Sequence, residues 1–258
     1  MKMNTSMKTA IASTFGLMLA LPATFATAAA VSAGAAVTNV QFHVVDLTPD
    51  DGQAGGITYY KRESSLNAVA GNLSDDKDYD DWRAASVYKS EGPNHASMTQ
   101  SGNPVEMQAH AEANGGAYPT AAYGLQEGYF WLLPHTSITM TGHIAGFVQS
   151  VGGLSYADAS SFATVYFYDE GRPGFYTLAE IRKELDLNSS PYGAVYDEDF
   201  NLSYANNTNQ ALALRWTNYE YTNAATTTPV PEPEGYAMLA TGLLLLGAVA
   251  RRRKAGQS

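Results

Sequence analysis

Thr136-Ser137-Ile138-Thr139-Met140-Thr141-Gly142-His143-Ile144-Ala145-Gly146-Phe147-Val148-Gln149-Ser150 decides the fold class. Ile138, Met140, Ile144 and Val148 fall on even positions, whereas Ser137, Thr139, Thr141, His143 and Gln149 fall on odd ones. Successive side chains leave a strand on opposite faces, so this period of two predicts one face in a core and one in water. Gly142 and Gly146 predict a bend or a close approach to a second sheet. The segment 210–221 repeats the pattern, with Leu212, Leu214 and Trp216 inward between outward Arg215 and Thr217. Two strands of this kind predict antiparallel sheets that share one core and are each wet on the other side.

Strand signals continue on both sides. In 37–47, Val40, Phe42 and Val44 oppose Asn39, Gln41 and His43, and Thr48-Pro49-Asp50-Asp51-Gly52 supplies the turn chemistry that ends the run. Further strands are expected at 56–61, 82–89, 105–111, 128–133, 161–168 and 194–204, with Gly, Pro and Asn in nearly all the gaps. One segment, 177–187, places Leu178, Ile181 and Leu185 on a helical stripe and fits a charged edge strand equally well. No internal repeat points to a solenoid or propeller. The expectation is an all-β domain over 29–222, an antiparallel β-sandwich or jelly-roll-like fold.

Both ends read as targeting segments. Lys2 and Lys8 precede an apolar run at 10–21, then Pro22 and Ala26-Thr27-Ala28, the layout of a secretory signal peptide cleaved after Ala28; Ala30 and Ala35 also fit the small-residue rule. At the other end a Pro/Thr-rich linker, 223–234, leads into an uncharged segment at 235–250 and a basic tail at 251–258. As a helix that segment spans roughly 22–24 Å, short of the ~30 Å hydrocarbon core, a gap that snorkelling arginines and local thinning can close. Arg251, Arg252, Arg253 and Lys254 would then remain cytoplasmic, leaving the preceding domain outside.

Composition narrows the partners. The chain has no cysteine, so disulfides and thiolate zinc sites are excluded. Residues 29–230 carry nine basic side chains against twenty-three carboxylates, a balance of −14. That charge disfavours nucleic acid as a partner; cations or a hydrated neutral polymer suit it better.

Pro231-Glu232-Pro233, the apolar segment and the arginine cluster, in that order, resemble the PEP-CTERM sorting signal of Gram-negative bacteria. The resemblance covers about thirty residues and implies recognition by an exosortase-type membrane enzyme, cleavage near the motif, and release to the cell surface or extracellular matrix. An ordinary tail anchor is the alternative. Asp46-Leu47-Thr48-Pro49-Asp50-Asp51-Gly52, Leu133-Pro134-His135-Thr136-Ser137-Ile138-Thr139 and Leu202-Ser203-Tyr204-Ala205-Asn206 are similar to short words in PEP-CTERM surface proteins of uncharacterised activity. They imply a β-sandwich and no catalytic residues.

Chemistry-bearing patterns are few. Asp76, Asp78 and Asp80 have the alternate spacing of a calcium loop, but Asp81 stands where glycine is needed and Val87 where a bidentate glutamate is needed, which rules out an EF-hand. A looser surface Ca2+ site and a solvated acidic loop both fit. His43, His95, His110, His135 and His143 show no metal or triad spacing and read as surface histidines. Asp169-Glu170 and Asp197-Glu198-Asp199 would serve a polysaccharide hydrolase only as facing acids across a cleft. Aromatics are more informative. Tyr59-Tyr60, Tyr129-Phe130-Trp131, Tyr166-Phe167-Tyr168 and the Trp216/Tyr219/Tyr221 set must present rings on both sheet faces, and exposed rings are what sugar-binding surfaces use. The expected function is a non-catalytic cell-surface or matrix protein. A carbohydrate-binding module for extracellular polysaccharide is the alternative, and a hydrolase is a more distant one.

Overall fold

A computed structural model of the chain describes residues 30–115, 118–151, 157–172, 176–188, 193–226 and 241–243. The leader at 1–28, Pro231-Glu232-Pro233 and the basic cluster Arg251, Arg252, Arg253 and Lys254 lie outside the described residues. Among those described, no helix is long and apolar enough to cross a membrane.

Twelve strands form two six-stranded antiparallel sheets packed as a sandwich. In chain order they are β1 (Ala30–Asp46), β2 (Ile57–Ala70), β3 (Leu73–Tyr79), β4 (Ala85–Glu91), β5 (Asn94–Gln100), β6 (Met107–Ala113), β7 (Thr120–Leu132), β8 (Thr136–Val151), β9 (Ala157–Asp169), β10 (Thr177–Asp186), β11 (Ala194–Asn206) and β12 (Leu212–Thr226). Sheet I has the order β11-β8-β1-β6-β5-β4 and sheet II the order β10-β9-β12-β7-β2-β3.

The two deciding strands behave as their alternation requires. Ile138, Met140, Ile144 and Val148 of β8, and Leu214 and Trp216 of β12, are buried between the sheets. Gly142 and Gly146 lie where a side chain would strike Phe200 and Tyr196 of β11, so those rings close over the glycine backbone. The segment 177–187 is strand β10 at the edge of sheet II, not a helix. Its inner row is Ala179, Ile181, Lys183 and Leu185, and Lys183 escapes the core by pairing with Glu198 of edge strand β11 at 2.6 Å.

Strand β1 starts earlier than expected and changes parity midway. Val31, Ala33, Ala35 and Val37 are buried, whereas beyond them the core-facing residues are Val40 and Phe42. A bulge between Thr38 and Gln41, with Asn39 at φ 56°, inserts the extra residue that converts odd-inward to even-inward. Glu106 Oε1 accepts the Val40 N–H at 3.2 Å, satisfying a donor at the bulge. Val44, expected inward, is exposed because it lies past the core edge.

Two strands were not anticipated. β3 is the acidic segment itself: Ala70 pairs with Leu73 across a two-residue turn containing Gly71 at φ 61°, and the hairpin carries 73–79 into an extended edge strand despite its aspartates. β5 forms through a similar tight turn at Gly92-Pro93.

The core holds a polar seam. Val105, at φ 71°, is buried and clamped from sheet II: its N–H donates to Gln126 Oε1 at 2.7 Å, and its C=O accepts from Asn218 Nδ2 at 2.6 Å. A positive φ is costly for a β-branched residue, so these bonds hold the turn in place. Gln126 continues to Gln100 and Ser64, while Asn218 neighbours the fully buried Glu220.

Candidate functional site

The outer face of sheet II is built in rows set by strand register. Lys61, Tyr129, Arg215 and Tyr168 form one row; Glu63, Glu127, Thr217 and Tyr166 the next; Asn67, Tyr123, Tyr221 and Phe162 another farther along. Each aromatic triplet splits as strand geometry demands, with Phe130, Phe167 and Trp216 inward and Tyr129, Trp131, Tyr166, Tyr168, Tyr219 and Tyr221 outward. A bulge between Tyr59 and Lys61 adds Tyr60 to the outer face.

Two rings stand clear of the sheet. Tyr60 is 48% exposed and Trp131 43%, with ring centroids 5.5 Å apart, and Tyr129 lies 6.1 Å from Tyr60. Beneath them is a charged network. Arg215 Nη1 donates to Glu127 Oε1 at 3.0 Å and to the Tyr129 hydroxyl at 3.2 Å, and the Tyr129 hydroxyl donates to Glu127 Oε2 at 2.9 Å. Glu170 Oε1 lies 3.1 Å from Arg215 Nε, a close ion pair without hydrogen-bond alignment. The guanidinium stacks on Tyr168 at 4.9 Å and on Tyr129 at 5.4 Å. Burial pushes the Tyr129 hydroxyl up to about 12, so it remains a donor at physiological pH.

Planar apolar rings beside fixed donors and acceptors match a pyranose, which has apolar C–H faces and an equatorial rim of hydroxyls. Burying Arg215 and Glu127 as a pair holds their free lone pairs and N–H groups in place before a ligand arrives. A second cluster on the same face, Tyr123, Tyr219 and Phe162, has Tyr219 ring centroids 5.6 and 5.5 Å from its neighbours.

No known protein family, curated protein or solved structure matches the chain.

The other candidates fall elsewhere. Asp76 and Asp78 project from the outer side of edge strand β3, opposite Asn67 and Ser65, and Asp80 follows in the bend after it. Asp76 and Asp78 therefore sit on an extended strand and not in a loop that wraps an ion. Among the described residues, the one set of three His, Asp or Glu side chains with mutually close ligand atoms is His95, His110 and Glu112. The acid pairs are engaged: Asp169 accepts from Gly171 N–H and pairs with Arg172, Glu170 with Arg215, and Glu198 with Lys183. Asp197 and Asp199 flank His143 at 2.7 and 2.9 Å, and the Asp199 hydrogen bond is the main cause that raises the imidazole above its ordinary range. His43 is exposed, and His135 bonds Asn209 Oδ1 at 2.7 Å.

The three similar words converge at one end of sheet I, where Asp46, Thr136 and Asn206 share a register across β1, β8 and β11. Asp46 accepts the N–H groups of Thr48 and Gly55, and buried Asn206 donates to the carbonyls of Leu132, Leu133 and Gln210. They secure the connections at that end, a structural role.

Proposed function

We propose that this chain is an exported, non-catalytic surface or extracellular-matrix protein that adheres to neutral polysaccharide through the outer face of sheet II. The observation that carries the reading is the exposed Tyr60–Trp131 pair set over the Arg215–Glu127–Tyr129 network. The pair offers stacking area, and the network offers hydroxyl partners held in place by their bonds to one another. Glu127 and Glu170, the acids of this network, are both tied to Arg215, which favours binding over general acid–base chemistry there. The acidic balance of the domain disfavours acidic polymers and leaves neutral ones.

The tail supports delivery: Pro231-Glu232-Pro233, the apolar segment and the basic cluster compose the sorting signal, and an exosortase-type enzyme is the partner it calls for. Before processing the apolar segment holds the protein at the inner membrane; afterwards the domain is free at the surface. Mass spectrometry of the mature protein from the surface fraction is expected to find a first residue near Ala29 and no residue beyond about Pro233. Cleavage after Ala35 would remove Val31, Ala33 and Ala35 from the core, so a leader cut there contradicts the reading.

Binding is tested by affinity electrophoresis through gels containing extracellular polysaccharide of the host. Trp131→Ala or Tyr60→Ala is expected to weaken retardation about tenfold, equivalent to ~1.4 kcal/mol. Both side chains lie outside the core, so the variants retain the fold. Unchanged retardation in the double variant removes this face as the binding site.

A further inference from the structure

The geometry points to a binding site for a late first-row divalent cation, zinc-like in preference, on the outer face of sheet I, formed by His95, His110 and Glu112. His95 of β5 sits directly opposite Glu112 of β6, and His110 is two residues before Glu112 on the same strand face. Strand pairing therefore aims three ligand-bearing side chains at one point. His95 Nε2 lies 3.4 Å and His110 Nε2 3.6 Å from Glu112 Oε2, and the three ligand atoms all lie within 4.8 Å of one another. Around a tetrahedral zinc with bonds of about 2.0–2.2 Å, neighbouring ligand atoms are separated by about 3.3–3.6 Å, so small rotations of these side chains admit the ion.

The surroundings are those of a built site. Asn114 Nδ2 donates to the other carboxylate oxygen, Glu112 Oε1, leaving Oε2 turned to the imidazoles; Asn114 is itself held by its N–H to Asn94 Oδ1 at 2.9 Å. Orienting partners of this kind set the direction of a ligating carboxylate. The Tyr88 ring flanks His95 with centroids 6.1 Å apart, and Phe147 flanks His110 at 6.2 Å. Phe147 in turn lies over Gly34, where any Cβ would collide with the ring. Two imidazoles and one carboxylate favour zinc, copper, nickel or cobalt over calcium or magnesium, which prefer all-oxygen sets. Three protein ligands leave a fourth position for water or for a donor from another molecule, because all three side chains are partly exposed. In a domain without cysteine, such an ion would clip β5 to β6 where a disulfide cannot.

Cobalt substitution tests the site. The untagged, chelator-stripped full chain, titrated with Co2+, is expected to develop visible d–d absorption of a low-coordinate N2O site at one equivalent, bleached by stoichiometric Zn2+. His95→Ala, His110→Ala and Glu112→Gln should each lower Zn2+ affinity at least tenfold, while His143→Ala, at the Asp197–Asp199 pair, leaves it unchanged. Circular dichroism confirms that each variant is folded. No stoichiometric binding by the wild type overturns the assignment, as does equal binding by the His95→Ala/His110→Ala double variant.

Discussion

Glu220→Gln is expected to flatten the pH dependence of stability. Glu220 sits on the inner row of β12 between Asn218 and Thr222, fully buried, and desolvation raises its carboxyl to about 8. Asn218 Nδ2 and the backbone of Val37 on β1 and Ala109 on β6 partly offset that rise, and Tyr196 is the titratable neighbour that senses its charge. Glu220 Oε2, Asn218 Oδ1 and Thr222 Oγ1 have no protein partner, so an ionised carboxylate here has little to receive it. The sign follows from proton counting. Between the unfolded value, near 4.5, and the folded value, near 8, the native state holds a proton that the unfolded chain has released. Stability therefore falls as pH rises through that window, by up to ~1.4 kcal/mol per unit and on the order of 5 kcal/mol in all. Urea unfolding at pH 5 and pH 8 should show this loss in the wild type and most of it abolished in Glu220→Gln, whose amide is neutral throughout. The raised His143 adds a smaller slope of the same sign, since its stabilisation is full below its unfolded value and is lost above its folded one. Parallel profiles for wild type and variant would exclude Glu220 as the source.

Trp216→Ala is expected to cost about 3–5 kcal/mol, the range for truncating a buried aromatic. Its ring lies between Trp82, at 4.9 Å, and Phe42, at 6.1 Å, and its Nε1–H donates to the Tyr59 hydroxyl at 3.1 Å. Truncation opens a cavity and leaves that hydroxyl without its donor. Gly128, opposite Trp216 in the register, is the complementary probe: a Cβ there would approach the indole to within 2.4 Å. Gly128→Ala should cost roughly 1–3 kcal/mol by overpacking. Thermal or urea unfolding measures both. A loss below ~1 kcal/mol for Trp216→Ala would place the centre of the core elsewhere.

The sandwich was legible where hydrophobic alternation was uninterrupted, as in β8 and β12. It was obscured where something outside the strand decides its state. β1 begins in Ala, Gly and Ser residues that resemble a leader's cleavage region, yet Gly34 sits under the Phe147 ring, Ala33 and Ala35 are buried in the core, and the Asn39 bulge then reverses the parity. β10 resembled a helix because the bulge between Thr177 and Ala179 lets both Leu178 and Ala179 pack against the core, and Lys183 takes an inner position relieved by Glu198 on another strand. β3 is a strand through its hairpin with β2, against the preference of its aspartates.

The aromatic face was legible in part. Tyr129-Phe130-Trp131 announced rings on both sides, but the bulge that adds Tyr60, and the union of Arg215 with Glu127 from a strand 88 residues away, are matters of register. The His95–Glu112–His110 cluster was hidden because its first member lies on unanticipated β5.

Tryptophan fluorescence reports directly on whether polysaccharide covers the outer face of sheet II. Trp82 and Trp216 are buried and Trp131 is 43% exposed, so acrylamide reaches one indole in preference to the others. Saturating polysaccharide is expected to protect that quenchable fraction, and Trp131→Ala to remove it. Polysaccharide that binds while Trp131 remains as quenchable as in the free protein would move the binding surface away from the outer face of sheet II.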